Sequence, residues 1–436
     1  MIRLFKVSIP SSALALILSE VVLIFASYLA AARIALDEPL LTFLFDRSGY
    51  WQVGFQTLVI VVGLYFSDLY ENFRVRSRIR LIQQFCLVLG IGFLLQSLLT
   101  YAQSGILLPK WVMVYGSGIV LVVLPLWRIA FTIMARKSTG GQTLLFLGSS
   151  PAVRDIAELL NERPELGLSP IGFLDSESAP EIPGAPRLGS LGDLDHVLAE
   201  KNPARLVVGM EDTSGLPVEH LIALRLAGLR IEEASSVFEA VFGRVSTRDL
   251  EPAQIVFSHD IRPRTSSVAL QSVYSFVLAL AALIIALPVM AIVALIVKFS
   301  SPGPVLVRER CAGHNGREFS AVKFRSARVG KWIAEWHLNL LPQLFNVLRG
   351  EMSIVGPRPE RVEFTAALEK EIPYYRQRLA VKPGIAGWAQ VNERDSGEFE
   401  DAIVNLEFDR YYIKNLSVWL DVYIVVHTLK RTIVGR

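Results

Sequence analysis

The sequence predicts a membrane protein of mixed α and α/β class. An N-terminal four-helix transmembrane bundle occupies residues 1–137 and a Rossmann-like α/β domain 138–260. A small α-rich domain follows at 268–436, opened by a membrane helix at 268–299. Three observations predict this. Of 436 residues 52% are hydrophobic and only 19% charged, with a positive mean hydropathy, which is unusual for a water-soluble protein. Apolar runs of bilayer-spanning length recur before residue 140. Beyond them, short apolar runs alternate with helical stretches, the pattern of a parallel sheet. The formal charge of +3 does not suggest a nucleic-acid partner. Cys86 and Cys311 lie far apart and the six histidines are scattered, so neither a disulfide framework nor a zinc spacing can be assembled.

The first four apolar runs lie near 13–36, 51–70, 81–102 and 111–135. Each is about 20 residues, enough to cross a bilayer as a helix. The first is too long for a signal peptide, lacks a clean small-residue cleavage site, and is followed by three more spans. A buried water-soluble bundle is the other arrangement such runs admit, and their length argues against it. The connection Asn72–Arg80, "NFRVRSRIR", carries four arginines, and Arg136-Lys137 follow the fourth run. The positive-inside rule puts both on the cytoplasmic side, together with the N-terminus and its Arg3 and Lys6.

In residues 138–260, "TLLFLGSS", "PIGFLDS", "ARLVVGM" and "LRIEEASS" read as strands, with "AVRDIAELLNE" as an intervening helix. The result is a Rossmann-like order. Gly148-Ser149-Ser150-Pro151 has one glycine where a dinucleotide turn wants three. Asp175 follows the second strand, where a carboxylate meets a ribose in nucleotide-binding members of the fold. Two readings stay open: a nucleotide site, or a tight turn at Gly148 with Asp175 ending a strand.

The fifth apolar segment, 268–299, contains Pro288 in "IIALPVMAIVALIVKF". A proline inside a helix removes a hydrogen bond and usually kinks it. Either the segment crosses with a kink, or it enters one leaflet, bends at Pro288 and leaves on the same side. The second keeps the α/β domain and the charged C-terminal region on one face, and is the topology expected.

After Ser300 the chain becomes polar and rich in turn signals. "SSPGPV" makes a stiff exit turn. Lys323 and Arg325 sit in a basic run that reads as leading into a helix. Gly356-Pro357-Arg358-Pro359 sets an arginine fork, suited to phosphate oxygens, on backbone fixed by two prolines. The same residues are also an ordinary turn with a solvated arginine. "VKPGIAGWAQVN" adds a second glycine-punctuated loop with Lys382, Gly384, Trp388, Gln390 and Asn392. A base or ribose packs on Trp388 in one reading; Trp388 anchors the core in the other. Ser417 is a plausible N-cap for "VWLDVYIVVHTLKRTI", a helix for a membrane surface or for a core.

Taken in order and spacing, "SSPGPV", "KFRS", "LPQLFNVLRGEMSIVGPRPER", "VKPGIAGWAQVN" and "YYIKNLSVWLD" resemble the bacterial polyprenyl-phosphate sugar-1-phosphate transferases, the monotopic phosphoglycosyltransferases. The upstream spans and α/β domain resemble their long form, which initiates exopolysaccharide synthesis. The resemblance implies a multi-pass protein of the bacterial inner membrane with its soluble domains in the cytoplasm. Its substrates would be a UDP-sugar and undecaprenyl phosphate, in contact with membrane lipid, with Mg²⁺ neutralising the diphosphate. In the family an aspartate attacks the β-phosphorus, UMP leaves, and a neighbouring glutamate assists the lipid phosphate. By resemblance Lys323 and Arg325 face nucleotide or sugar phosphates and Arg358 the donor or lipid phosphate. Trp388, Gln390 and Asn392 belong to the loop shaping the nucleotide end, and Pro288 makes the re-entrant kink.

This chain departs from the pattern in three places. The family's Asp-Glu pair follows "KFRS" within an inserted segment, but here Ser326-Ala327 runs directly into Arg328-Val329-Gly330. With the pair go the catalytic residue and the usual metal ligand. The nearest carboxylate is Glu335; Glu351 matches a structural acidic position. Where the family writes an acidic "DELPQL", this chain has "LNLLPQL". At the start of the membrane helix, Gln271, Ser272 and Ser275 stand where a basic pair and an aspartate are usual. Two functions follow: a transferase with an altered or recruited nucleophile, or a silent relative that binds nucleotide sugar or polyprenyl phosphate or pairs with an active homologue as a scaffold. The protein partner to look for is a second copy, as a homodimer, or a homologue.

Overall fold

A computed structural model describes residues 2–4, 7–9, 11–67, 69–70, 78–99, 107–138, 142–163, 166–177, 179–210, 215–247, 262–300, 302–325, 333, 336–392 and 399–434. The chain divides into two compact units, one holding the N-terminal helices and the other most of the α/β domain with everything after it.

The first unit contains α1 (Ser11–Ala35), the short α2 (Leu40–Phe45), α3 (Gly49–Phe66), α4 (Arg78–Leu99) and α5 (Lys110–Ser138). Four of these carry windows long and apolar enough to cross a membrane: Ala13–Ala35, Gly49–Phe66, Leu81–Leu98 and Lys110–Met134. They match the expected runs closely. The core joins Ile24 and Tyr28 of α1, Ile60 and Leu64 of α3, Phe85 of α4, and Val120 and Leu124 of α5. Close helix approach rests on small residues: a Cβ on Gly116 would lie 2.3 Å from the Tyr28 ring. A buried ion pair ties α1 to α5, Arg128 donating to Glu20 at 2.5 and 2.9 Å. The Tyr70 hydroxyl donates to the same carboxylate at 2.7 Å. In hydrocarbon such charges persist only when paired, as here. Of the arginine-rich connection, 71–77 lies outside the described residues.

The second unit begins with a five-stranded sheet in the order β3-β2-β1-β4-β5. The strands are β1 (Gln142–Leu147), β2 (Leu168–Leu174), β3 (Arg187–Gly189), β4 (Arg205–Val208) and β5 (Arg230–Glu233). β2–β3, β1–β4 and β4–β5 pair in parallel. Helices α6 (Pro151–Glu162), α7 (Leu194–Lys201) and α8 (Val218–Leu226) lie between successive strands, and α9 (Ala234–Phe242) follows β5. The four expected strands are present; β3 was not anticipated, because three residues carry no periodicity. Pro151 stands first in α6, where its missing N–H is not needed.

Next comes α10 (Thr265–Ser300), one unbroken 36-residue helix with Pro288 inside it. The chain then forms an antiparallel hairpin, β6 (Leu306–Ala312) with β7 (Glu318–Phe324). Lys323 therefore ends a strand, where the sequence pointed to a helix lead-in. The hairpin is not legible because neither strand alternates cleanly: β6 is exposed at its start and buried at its end, and the middle of β7 holds two buried residues in succession. After a 3₁₀ turn at Leu338–Gln343 come α11 (Leu344–Leu348), β8 (Ser353–Val355) and α12 (Val362–Glu371). A second 3₁₀ turn at Tyr375–Ala380 leads to β9 (Gly384–Ala386), α13 (Trp388–Asn392), α14 (Phe399–Asn415) and α15 (Val418–Val434). Ser417 caps α15 as expected, its Oγ accepting from Leu420 N at 3.4 Å.

Candidate functional site

Two glycine loops that are distant in sequence close on each other. β8 and β9 pair in parallel, Ser353 opposite Gly384 and Val355 opposite Ala386. Gly356 N donates to Ala386 O at 2.9 Å, and Gly384 N to Pro357 O at 2.9 Å. A Cβ on Gly384 would fall 2.1 Å from Gly356 N, and one on Gly356 2.4 Å from Lys382 O. Backbone atoms cannot yield, so only glycine fits. Gly356, Pro357, Arg358 and Pro359 are thus brought against Lys382 and Gly384, which the sequence reading had treated as separate loops.

The pair is fixed to the membrane helix and to a buried charge. Gln271 on α10 donates to Val355 O at 3.1 Å, just before the loop, and Lys382 Nζ donates to Ser272 Oγ at 3.4 Å. Arg378, 5% exposed, donates to Arg358 O at 3.2 Å. Its guanidinium is matched by Glu360 and, at 3.0 Å, by Asp409. These carboxylates hold Arg378 charged despite a burial that opposes it. The Arg358 side chain is exposed, beside a shallow cleft lined by Ala312, Thr365, Leu379 and Pro383.

Cations gather around these loops. Burial holds Lys382 below the usual lysine range. Partial desolvation, then the charges of Arg358 and Arg431, hold His337 below the usual histidine range. His314 is lowered by burial, opposed by a hydrogen bond to Ala380, with Lys382, Arg317 and Arg262 adding to the lowering. An anion entering here would meet positive charge from several elements at once.

The other expected residues are held differently. Lys323 Nζ donates to Glu309 at 2.6 Å, and Arg361 reaches the same carboxylate at 3.1 Å. The Lys323 hydrogen bond is the main reason Glu309 sits below the usual glutamate range. Arg325 donates to Pro302 O at 2.7 Å, bracing the exit turn. Trp388 is 5% exposed, stacked on Tyr411 at 5.7 Å and tilted against Tyr423 at 5.9 Å, so its ring is a core anchor. Gln390 O accepts from Arg431, and Asn392 donates to Trp388 O at 2.8 Å. Asn346 joins Glu351 at 2.7 Å to Ser320 O at 2.8 Å, a bracing role for Glu351. Glu335 and the segment 326–332 lie outside the described residues.

One cluster escaped the sequence reading. Asp421, 2% exposed, accepts from Gln271 at 2.9 Å, from Tyr274, and from Tyr412 at 2.8 Å. Burial raises its pKa to about 6, against the lowering by these three donors. The signal was present: an aspartate between the buried Leu420 and Ile424 on one helix face.

Comparisons with known proteins agree with this layout. A family described as "Bacterial sugar transferase" matches residues 266–435, and one described as "CoA-binding domain" matches 61–211. The UDP-N-acetylgalactosamine-undecaprenyl-phosphate N-acetylgalactosaminephosphotransferase of Aeromonas hydrophila is 34% identical over 52% of this chain and 57% of its own length. The UDP-glucose:undecaprenyl-phosphate glucose-1-phosphate transferase of Xanthomonas campestris pv. campestris is 30% identical over 67% of this chain and 66% of its own. The exopolysaccharide production protein PSS of Rhizobium leguminosarum bv. phaseoli is 31% identical over 37% of this chain and 94% of its own. The chain thus spans less than two thirds of the length of the first two relatives.

Proposed function

The chain belongs to the bacterial sugar transferase family, and from that premise we propose that it moves a sugar-1-phosphate from a UDP-sugar to undecaprenyl phosphate, initiating exopolysaccharide assembly. The reaction breaks the bond between the β-phosphorus and the bridging oxygen, which leaves with its electron pair on UMP. A phosphate oxygen of undecaprenyl phosphate ends bonded to that phosphorus. The observation that carries the reading is the locked pair of loops, Gly356–Pro359 against Lys382–Gly384, bonded to the membrane helix through Gln271 and Ser272. Arg358 and Lys382 would bind the diphosphate and lipid phosphate where the lipid headgroup lies.

The same contacts support re-entry of α10. Near its start Gln271 bonds β8, and near its end Val297 packs with Phe324 of β7. A straight crossing would separate these two contacts by a bilayer about 30 Å thick, yet both belong to one small module. Re-entry at Pro288 would keep the module on one face, and the positive-inside rule applied to the arginine-rich connection supports the cytoplasmic side of the inner membrane for it. Mg²⁺ enters only through the resemblance. Among the described residues no group of three or more His, Cys, Asp or Glu side chains is placed to hold it. Mg²⁺ at phosphoryl sites is held by one or two carboxylates together with the substrate's own phosphates, so it stays part of the proposal and no step is assigned to it.

A second reading, ligand binding without transfer, rests on one observation: no Asp-Glu pair follows Lys323-Phe324-Arg325-Ser326. Release of UMP by the purified full-length protein, with Mg²⁺, undecaprenyl phosphate and a panel of UDP-sugars, separates the two. Lipid-dependent release is expected, and Glu335→Gln then tests the nearest carboxylate. Retained UDP-sugar binding without release would establish the second reading.

A further inference from the structure

The match to a CoA-binding family implies a nucleotide cofactor in the α/β domain, at the switch point where β1 and β4 diverge. The residues there do not fit one. Gly148 has φ +93, and a Cβ on it would lie 2.5 Å from Gly209 O. Gly209 is itself covered: a Cβ there would meet Val153 at 2.2 Å and Ala234 at 2.8 Å. Ser150 and Val153 occupy the places of the second and third fingerprint glycines, which elsewhere admit a pyrophosphate and a close helix. Ser150 N, at the entrance to α6, donates to Gly209 O at 3.1 Å. Asp175 accepts from Ser149 Oγ at 2.7 Å and from Ser176 N at 2.7 Å. Helix N-terminus, glycine turn and acidic residue are all used within the protein.

The other end of the domain reaches into the transferase module. Helix α9 ends at Gly243 with φ +66, where a Cβ would press on the Trp388 ring at 3.3 Å. Gly243 O accepts from Trp388 Nε1 at 2.7 Å. Val245 N donates to Glu407 O at 3.1 Å. Thr247 gives both its N–H, at 2.7 Å, and its hydroxyl, at 2.9 Å, to Glu407 Oε1. Arg244 approaches the other oxygen at 3.5 Å while lying over the rings of Phe238 and Phe242. A reciprocal carboxylate, Glu239, takes Lys414 at 2.9 Å and Asn415 at 3.3 Å. Glu239 and Glu407 are 6% and 5% exposed. A buried carboxylate held by donors from another element is expensive to separate from them. These contacts therefore fix one geometry where interdomain joints are ordinarily loose.

Trp388 follows directly on Gly387, whose Cβ would lie 2.8 Å from Gly356 O. What holds Trp388 therefore holds the paired loops. We propose that the α/β domain is a positioning domain: it takes no CoA or dinucleotide at its switch point, and it fixes the Gly384–Asn392 loop through Gly243, Thr247 and Glu407. The role is independent of which reading of the transfer chemistry holds, and its test needs no turnover.

Full-length protein in detergent is titrated calorimetrically with CoA and with NAD⁺, and amide exchange is followed by mass spectrometry. No saturable binding is expected; stoichiometric binding with exchange protection mapped to 148–154 and 175–176 would overturn the proposal. Thr247→Val removes one hydrogen bond to a charged group. It is expected to raise exchange across 384–392 about tenfold while leaving the β6–β7 hairpin unchanged. Thr247→Ser, which keeps the hydroxyl, should restore the original protection. Trp388→Phe, which keeps an aromatic ring but loses the donor to Gly243, should raise exchange at 243–247 as well. Loosening confined to 243–247, with 384–392 unaffected, would mean the strap holds nothing. If Trp388→Phe loosens the hairpin too, the Thr247 pair alone decides between these outcomes.

Discussion

The turn after β1 and the paired loops that follow β8 and lead into β9 are built alike, on glycines whose Cβ would strike backbone, yet their rims differ. At Gly148 the turn packs on Gly209 and the Met210 side chain, and Ser149 and Asp175 beside it bond one another. At Gly356 and Gly384 the backbone contact is as close, but Arg358 stands exposed, Lys382 lies half-buried, and Arg378 is fixed beneath. Glycine at such a position reports only that two chains approach. What differs between the two is the charge that lines each approach. That difference fits the proposal made above, in which the transferase loops meet phosphate and the α/β turn is packing.

The largest test breaks the charge under the transferase loops. Arg378→Met leaves Glu360 and Asp409 without their buried cation, and removing one partner of a buried pair costs ~3–5 kcal/mol. Thermal unfolding of the detergent-solubilised protein should show the transferase module melting first, with the α/β sheet retained.

The next effect is a pH dependence confined to the same side of the comparison. Burial raises Asp421 to about 6 from an ordinary 3.8, so the folded state holds its proton more tightly than the unfolded chain. Its contribution to stability is full below about pH 4 and is lost as pH rises through 6, a loss of ~3 kcal/mol. Asp409, raised by its burial against the pull of Arg378, acts with the same sign. His314 and His337, lowered by burial, act with the opposite sign, so the check is a difference. Between pH 4 and 6 the melting temperature of Asp421→Asn should fall less, or rise more, with pH than that of the parent protein. An unchanged slope in that variant would remove Asp421 from the account.

Arg358→Ala sharpens the contrast through function. The side chain is exposed, so stability should change by no more than about 0.5 kcal/mol. One charge-assisted phosphate contact is worth ~1.5–3 kcal/mol, so UDP-sugar affinity or UMP release should drop roughly 10- to 100-fold. A variant that is both folded and fully active would show that the exposed arginine serves no ligand.

Much of this was legible in the sequence, and what was not has physical causes. The four N-terminal spans and four of the five strands follow from run length and composition, which survive in one dimension. The two loops were legible as motifs, since glycine and proline mark backbone geometry locally. Their pairing was not, because nothing in either loop names its partner. Arg378, Glu360 and Asp409 come together only in three dimensions, and separately each reads as a solvated charge. Trp388 illustrates the limit from the other side: an aromatic in a glycine loop fits a stacked base as well as a core, and only Tyr411 and Tyr423 decide between them.

The smallest expected effect is the most direct check on the α/β turn. Ser149→Ala removes one hydrogen bond to Asp175, at 2.7 Å, and leaves the backbone path through Gly148 intact. If the turn is packing, the change costs about 1 kcal/mol of local stability. That loss should register as faster exchange at Gly148–Ala152 and nowhere in the transferase loops, with UDP-sugar binding unchanged. If instead the turn cradles a nucleotide, the same change frees Asp175 for a ribose and should alter binding of an added dinucleotide. A chain in which Ser149→Ala shifts UDP-sugar affinity would carry a coupling from the switch point to the transferase loops. The two glycine turns would then be parts of one site, and the contrast between them would fall.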